Sequence, residues 1–135
     1  MPELPITDEL RHLAELAATA AEQAYVPYSK FPVGAALLSS DGTIFTGCNV
    51  ESAAYSATIC AERTACASAV AAGHRSFTAI AVHVGVDHGS PCGVCRQFLA
   101  EFGTDLVVAF RQQGKLVAYP LSDLLPSAFV STSLV

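Results

Sequence analysis

The chain has 135 residues, of which 52% are hydrophobic, 14% charged and 8% aromatic. That length predicts a single domain over residues 1–135 with a core large enough to need no disulfide staple, and the composition excludes disorder. No charge-free apolar run reaches the roughly 18 residues of a membrane span, and a net charge of −5 with only 7 Lys and Arg excludes an electrostatic footprint for long nucleic acid.

The opening segment Met1–Leu13 lacks a basic region followed by an apolar one, so it does not read as a secretory signal, and the expected compartment is the cytoplasm. Thr7–Ala24 then reads as a helix, with Leu10, Leu13, Ala14, Ala17, Ala20, Ala21 and Ala24 at three- and four-residue spacing. Thr7 suits its N-cap, and Asp8 and Glu9 suit its first turn. Phe31–Ser39 and Thr43–Cys48 are strand-like around Ser40-Asp41-Gly42, a hairpin with a glycine turn. Cys60–Ala72 is an alanine-rich helix stopped by Gly73, and its small side chains allow another helix to approach closely. Phe77–Val86 is long and apolar enough for a central strand. After the loop Asp87–Ser90, Cys92–Phe102 forms a helix ended by Gly103. Leu106–Phe110 and Leu116–Tyr119 are strands about the Gln113-Gly114 turn, and Ser122 is a candidate cap for a short last helix through Leu125. The order α-β-β-α-β-α-β-β-α predicts an α/β fold of three layers, a mixed sheet of about five strands between helices with at least one parallel crossover. A mean hydropathy of +0.44 is high for a small monomer and predicts apolar surface covered by other subunits.

Five cysteines in a reducing compartment point to metal or catalysis before disulfides. Cys60 begins one predicted helix, and Cys92 and Cys95 begin another. A helix N-terminus carries positive partial charge, which favours thiolate. Two such helix starts facing each other would hold one Zn²⁺ through three sulfurs, leaving the fourth tetrahedral position open, as catalytic zinc requires. A four-cysteine structural site recruiting Cys48 or Cys66, a redox pair and plain core cysteines are the alternatives. Cys66 is turned about 240° from Cys60 on a helix, whereas spacing does not exclude Cys48. Glu62 shifts the balance toward catalysis, because it stands just inside the helix start, near enough to an open zinc position for proton transfer. His12, His74, His83 and His88 fit no ligand spacing and read as surface or strand residues; Cys48 and Cys66 read as buried free thiols.

Cys60-Ala61-Glu62 followed by Pro91-Cys92-Gly93-Val94-Cys95 matches the zinc-deaminase pattern of His-x-Glu (or Cys-x-Glu) and Pro-Cys-x-x-Cys. With Pro27-Tyr28-Ser29-Lys30-Phe31, Gly47-Cys48-Asn49-Val50-Glu51 and Leu124–Phe129, the chain from Tyr25 to Phe129 resembles the small, zinc-dependent, homotetrameric cytidine deaminases. The resemblance implies one Zn²⁺ per subunit on Cys60, Cys92 and Cys95, with Glu62 as catalytic acid and base. It implies that Asn49 and Glu51 hold the ribose hydroxyls, that Phe31 walls the pyrimidine pocket, and that Ala61 offers backbone groups to the base. It makes Arg63 the hydrogen-bond partner of the thiolates, and places Tyr55 and Phe129 at substrate sites near subunit contacts. The implied reaction is hydrolytic deamination of cytidine and deoxycytidine with release of ammonia. Blasticidin-S deaminase shares the zinc motifs, but the Asn49-x-Glu51 pair favours a ribose. Deoxycytidylate and polynucleotide deaminases usually place His as first ligand and need basic phosphate contacts. A non-catalytic zinc-binding interaction module would keep the cysteines and have no use for Glu62.

Overall fold

A computed structural model describes residues 1–134. Helix α1 spans Asp8–Ala21 and is capped by Thr7, whose hydroxyl accepts from the Leu10 amide at 3.1 Å. It ends three residues earlier than Ala24, with Glu22 at its C-cap. Strands β1 (Val33–Ser39) and β2 (Ile44–Cys48) form the predicted hairpin. Phe31 lies outside β1, contrary to the predicted start. Pro32 follows it and lacks an N–H, and the Phe31 carbonyl accepts from the Asn49 side-chain amide at 2.9 Å rather than from a strand. Helix α2 (Ala61–Ala71), β3 (Phe77–Val84), helix α3 (Gly93–Ala100), β4 (Val107–Gln112), β5 (Lys115–Pro120) and the short helix α4 (Leu121–Leu124) follow in the predicted order. Ser122 does not cap α4. Pro120 holds that position, the Leu121 amide already donates to Leu106 O at 2.8 Å, and Ser122 lies inside the helix. No helix among the described residues is long and apolar enough to cross a membrane.

The sheet order is β2-β1-β3-β4-β5; β3 and β4 are parallel and the other neighbouring pairs antiparallel. The right-handed strand-helix-strand crossover rule applies to that pair, joined through α3. The two faces of the sheet are built differently. On one face Leu10, Leu13 and Ala17 of α1 pack on Ala36, Ala79, Ala81, Ala109 and Ala118. On the other, Leu37, Ile80, Val82, Val108, Phe110, Val117 and Tyr119 pack under α2, α3 and α4. Burial of the larger side chains stabilises by roughly 1.5–3 kcal/mol each.

Two glycines set how closely the helices sit on the hairpin. A Cβ on Gly34 would run into the Ala17 carbonyl of α1. A Cβ on Gly47 would stand 2.5 Å from Ala65 N and 2.7 Å from Ala61 O, both backbone atoms of α2. Backbone cannot yield as a flexible side-chain tip does. Glycine at position 47 therefore lets β2 touch the first turns of α2, the segment that carries Cys60 and Glu62. Overpacking typically costs 1–3 kcal/mol. Gly47→Ala should lower the unfolding free energy by about 1–3 kcal/mol, read as a lower chemical-denaturation midpoint, and weaken zinc retention along with it. An unchanged midpoint would mean that α2 has room to move away.

Candidate metal centre and active-site cavity

The chain turns into α2 at Cys60 and into α3 at Cys92. Each is an N-cap in extended conformation, with φ/ψ of −76°/156° and −67°/166°. The Cys60 carbonyl accepts from the Thr64 amide at 3.1 Å, and the Cys92 carbonyl accepts from the Arg96 amide at 3.0 Å. The Cys92 sulfur receives the Cys95 amide at 3.4 Å. Arg96 fixes this turn by donating to Pro91 O at 2.8 Å and to Leu124 O at 2.7 Å. With both helix starts held, the sulfurs of Cys60, Cys92 and Cys95 lie within 4.8 Å of one another, Cys60 and Cys92 at 3.9 Å. A tetrahedral zinc with bonds of about 2.3 Å needs sulfurs roughly 3.8 Å apart. The donor set fits zinc, and Cys48 and Cys66 take no part in it.

Three thiols at this spacing cannot all ionise without a cation. A hydrogen bond from Cys95, then those from Arg63 and Cys92, bring the Cys60 thiol down to about 5 against the cost of burial. Cys95, which donates to Cys60 and is buried, is pushed up. Arg63 Nη2 donates to the Cys60 sulfur at 3.4 Å. Cys66 is fully buried on α2, and burial raises its thiol to about 11. Cys48 is only half-buried, not buried as the sequence suggested.

Glu62 is 3% exposed, and its Oε1 has no hydrogen-bond partner. Desolvation, helped by the nearby Cys60 sulfur, raises its pKa above the usual carboxylate value. A buried, unpartnered carboxylate oxygen is costly unless something binds it. It faces a cavity of about 340 Å³ whose lining includes Cys60, Cys92, Phe31, Asn49, Glu51, Val82 and Val84. That size suits a small organic ligand.

The structure brings Cys60, Cys92, Glu62, Phe31, Asn49 and Glu51 to this cavity. Cys95 and Ala61 lie buried at the helix starts behind it. Tyr55 and Phe129 are not on its wall and are 75% and 57% exposed, although Tyr55 lines an adjoining cavity that shares Ser29, Glu51 and Thr58 with it. Tyr55 lies edge-on to Tyr28, and the Phe129 carbonyl accepts from Gln97 Nε2 at 2.7 Å.

Asn49 and Glu51 also have work inside the chain. Asn49 Oδ1 accepts from the Val33 amide at 2.9 Å while its Nδ2 holds Phe31 O, so it pins the segment that carries Phe31. Glu51 Oε1 accepts from the Tyr28 and Ser29 amides at 3.0 and 3.1 Å. The Ser29 side chain and these amides, aided by Lys30, hold its carboxyl below the usual range.

The profile of the cytidine and deoxycytidylate deaminase zinc-binding region matches residues 7–111. The chain belongs to this family. It is 56% identical over 113 residues to the cytidine deaminase of Sporosarcina psychrophila, covering 82% of this chain and 83% of that one. It is 42% identical over 130 residues to a probable cytidine deaminase of Dictyostelium discoideum, covering 95% and 88%. The crystal structure of cytidine deaminase from Burkholderia pseudomallei superposes with a TM-score of 0.85 at 48% identity, covering 92% of this chain and all of that one. The family fold is therefore the mixed five-stranded sheet with flanking helices described above.

Sequence reasoning missed part of the cavity wall. Ser29, Val33, Thr58, Val82, Val84, His88, Gly89 and Ser90 also line it. His88, which reads from sequence as a surface residue, is exposed yet borders the cavity, because the Gly89 amide ties its loop to Arg111 O at 2.9 Å. Its nearness to Pro91 was the one available signal.

Metal analysis separates the ligands from the bystanders. Cys60→Ser, Cys92→Ser and Cys95→Ser should each lose most bound zinc, while Cys48→Ala and Cys66→Ala should keep one zinc per chain. Equal loss in Cys48→Ala would contradict a three-sulfur site.

Proposed function

We propose that this chain catalyses the zinc-dependent hydrolytic deamination of cytidine and 2′-deoxycytidine to uridine and 2′-deoxyuridine, releasing ammonia. The observation that carries the reading is the buried, unpartnered Glu62 carboxylate beside three clustered sulfurs in a nucleoside-sized cavity. Zinc, when bound by Cys60, Cys92 and Cys95, supplies Lewis acidity that makes a bound water a nucleophile near neutral pH. Glu62 does the proton work. Its Oε1 takes a proton from the attacking water and passes it to ring N3, which makes C4 electrophilic; it then moves the proton of the hydroxyl added at C4 to the amine, which leaves as ammonia as the C4 carbonyl forms. Its raised pKa, from burial, suits a group that must both accept and return a proton.

The remaining residues bind and orient. Asn49 spends one acceptor and one donor on Phe31 and Val33, which leaves a lone pair and an N–H for a ribose hydroxyl. The Tyr28 and Ser29 amides both go to Glu51 Oε1, which stays fixed, and Oε2 is left to accept from the second hydroxyl. Phe31 walls the base, and the free N–H groups at the start of α2, beginning with Ala61, face its polar edge. Arg63 offsets the net −1 charge of zinc with three thiolates.

Glu62→Ala should retain zinc and fold and lose at least 10²–10⁴-fold in turnover, the usual worth of general acid–base catalysis. Ultraviolet absorbance with cytidine, deoxycytidine and blasticidin S as substrates reads this directly. Activity within tenfold of the parent would refute the role of Glu62, and turnover of blasticidin S alone would refute the cytidine and deoxycytidine reading.

The working form in this proposal is a cytoplasmic homotetramer with shared sites. Tyr25, Tyr28, Tyr55 and Phe129 are all at least half exposed in the single chain, so Phe129 does not cap its own core. A second copy would cover them and bring Phe129 onto a neighbour's pyrimidine, an aromatic contact worth about 0.5–1.5 kcal/mol beyond burial. Mixed, exchanged Phe129→Ala and Glu62→Ala subunits should then be more active than either parent. An active monomer by light scattering would overturn the shared site.

A further inference from the structure

The opposite face of the sheet carries a second cavity, of about 340 Å³. Arg11, Ala14, Glu15 and Ala18 line it from α1, at the i, i+3, i+4, i+7 spacing of one helix face. His83 of β3, Arg111 of β4 and Leu116 of β5 line it from the sheet. The strand register explains their convergence. Ala81 pairs with Ala109, so two residues on, His83 and Arg111 share the same face, and Arg111 pairs across β4 and β5 with Leu116. Side chains alternate along β3, so Val84 lines the thiol cavity and His83 the second one, while Val82 between them borders both.

The charges in this cavity are unbalanced. The chain is acidic overall and has only 7 Lys and Arg, yet two arginines and a histidine meet here. Arg111 donates to Gly114 O at 2.9 Å, which anchors its guanidinium and uses one of five N–H donors. Arg11 has no ion pair or side-chain hydrogen bond among the described residues. The one carboxylate on the wall, Glu15, forms no ion pair among the described residues either, where Lys115–Glu3 pairs and Asp41 meets the His74 ring. Two guanidinium groups against one carboxylate leave a net positive cavity. Ala14, Ala18 and Leu116 give it an apolar side. Arginine forks suit phosphate oxygens, and a small apolar wall suits the organic body attached to them.

We propose that this cavity binds a phosphate-bearing small molecule, with Arg11 and Arg111 holding the phosphate beside His83 and with Ala14, Ala18 and Leu116 seating the organic part. The site is separate from the cavity of Glu62, and β3 lies between them. The two are nonetheless neighbours through the backbone. The carbonyl of Arg111 receives the amide of Gly89, which lines the thiol cavity.

The test uses zinc-loaded full-length protein, AMP as the phosphate-bearing probe and adenosine as the same body without phosphate. AMP should bind saturably, one per chain, by calorimetry. Arg11→Gln and Arg111→Gln should each weaken it about tenfold or more, as loss of a charge-assisted hydrogen bond does. Glu15→Gln should tighten binding, a gain that a damaged fold cannot imitate. Lys30→Gln, which removes a cation elsewhere, should leave the affinity unchanged, and adenosine should not compete. No AMP binding at millimolar concentration would overturn the proposal. So would indifference to Arg11 and Arg111, an equal loss in Lys30→Gln, or adenosine binding as tightly as AMP.

Discussion

Everything at the candidate site depends on holding three sulfurs within 4.8 Å of one another. Two thiolates about 4 Å apart repel by roughly 4 kcal/mol at an effective dielectric of 20. The protein meets that cost with oriented charge. Cys60 and Cys92 occupy helix N-caps, where the backbone supplies positive partial charge, and Arg63 donates to the Cys60 sulfur. Protons or a divalent cation must supply the rest. The split between a lowered Cys60 and a raised Cys95 is the protonated solution to that constraint, and a zinc ion is the other. Glu62 follows from the same helix start. Two residues inside α2, it is carried into the cavity whenever Cys60 is placed at the cap.

The fold serves to keep those two helix starts in register. α2 rests on β2 through Gly47 and α3 enters from the C-terminal end of β3, so the sheet sets the distance between Cys60 and Cys92. Side-chain size divides the sheet's labour. The alanine-rich face accepts α1 closely, and the face with larger residues forms the core beneath α2, α3 and α4. The hairpin and the segment after it then supply the cavity's other wall. A short bridge from Val50 to both Tyr25 and Ile59 brings Glu51 under the Tyr28 and Ser29 amides, and Asn49 ties down Phe31 and Val33. Asn49 and Glu51 thus shape the pocket before any ligand reaches it, which is preorganisation in the strict sense that their first hydrogen bonds are already spent on position.

Local chemistry explains what the sequence reveals by itself. Thr7, Cys60 and Cys92 mark helix starts because capping is decided within a few residues. The strand order of the hairpin and the parallel crossover followed from the element sequence. The errors arose where distant parts compete. Ser122 lost the cap of α4 because the Leu121 amide is taken by Leu106, its partner at the open end of the β4–β5 hairpin. Phe31 left β1 because Asn49, eighteen residues on, captured its carbonyl. His88 reached the cavity wall through Gly89 and Arg111, a contact between loop and strand that spacing does not encode. Tyr55 and Phe129 are site residues by family resemblance alone, since the single chain leaves both in solvent.

The central claim is that three sulfurs from two helix starts hold one zinc and leave a position open beside Glu62. X-ray absorption at the zinc edge of the loaded protein addresses it most directly. The account predicts three sulfur neighbours at about 2.3 Å and one lighter oxygen or nitrogen neighbour at about 2.0 Å. Four sulfur neighbours would make the site closed and structural, and would contradict it.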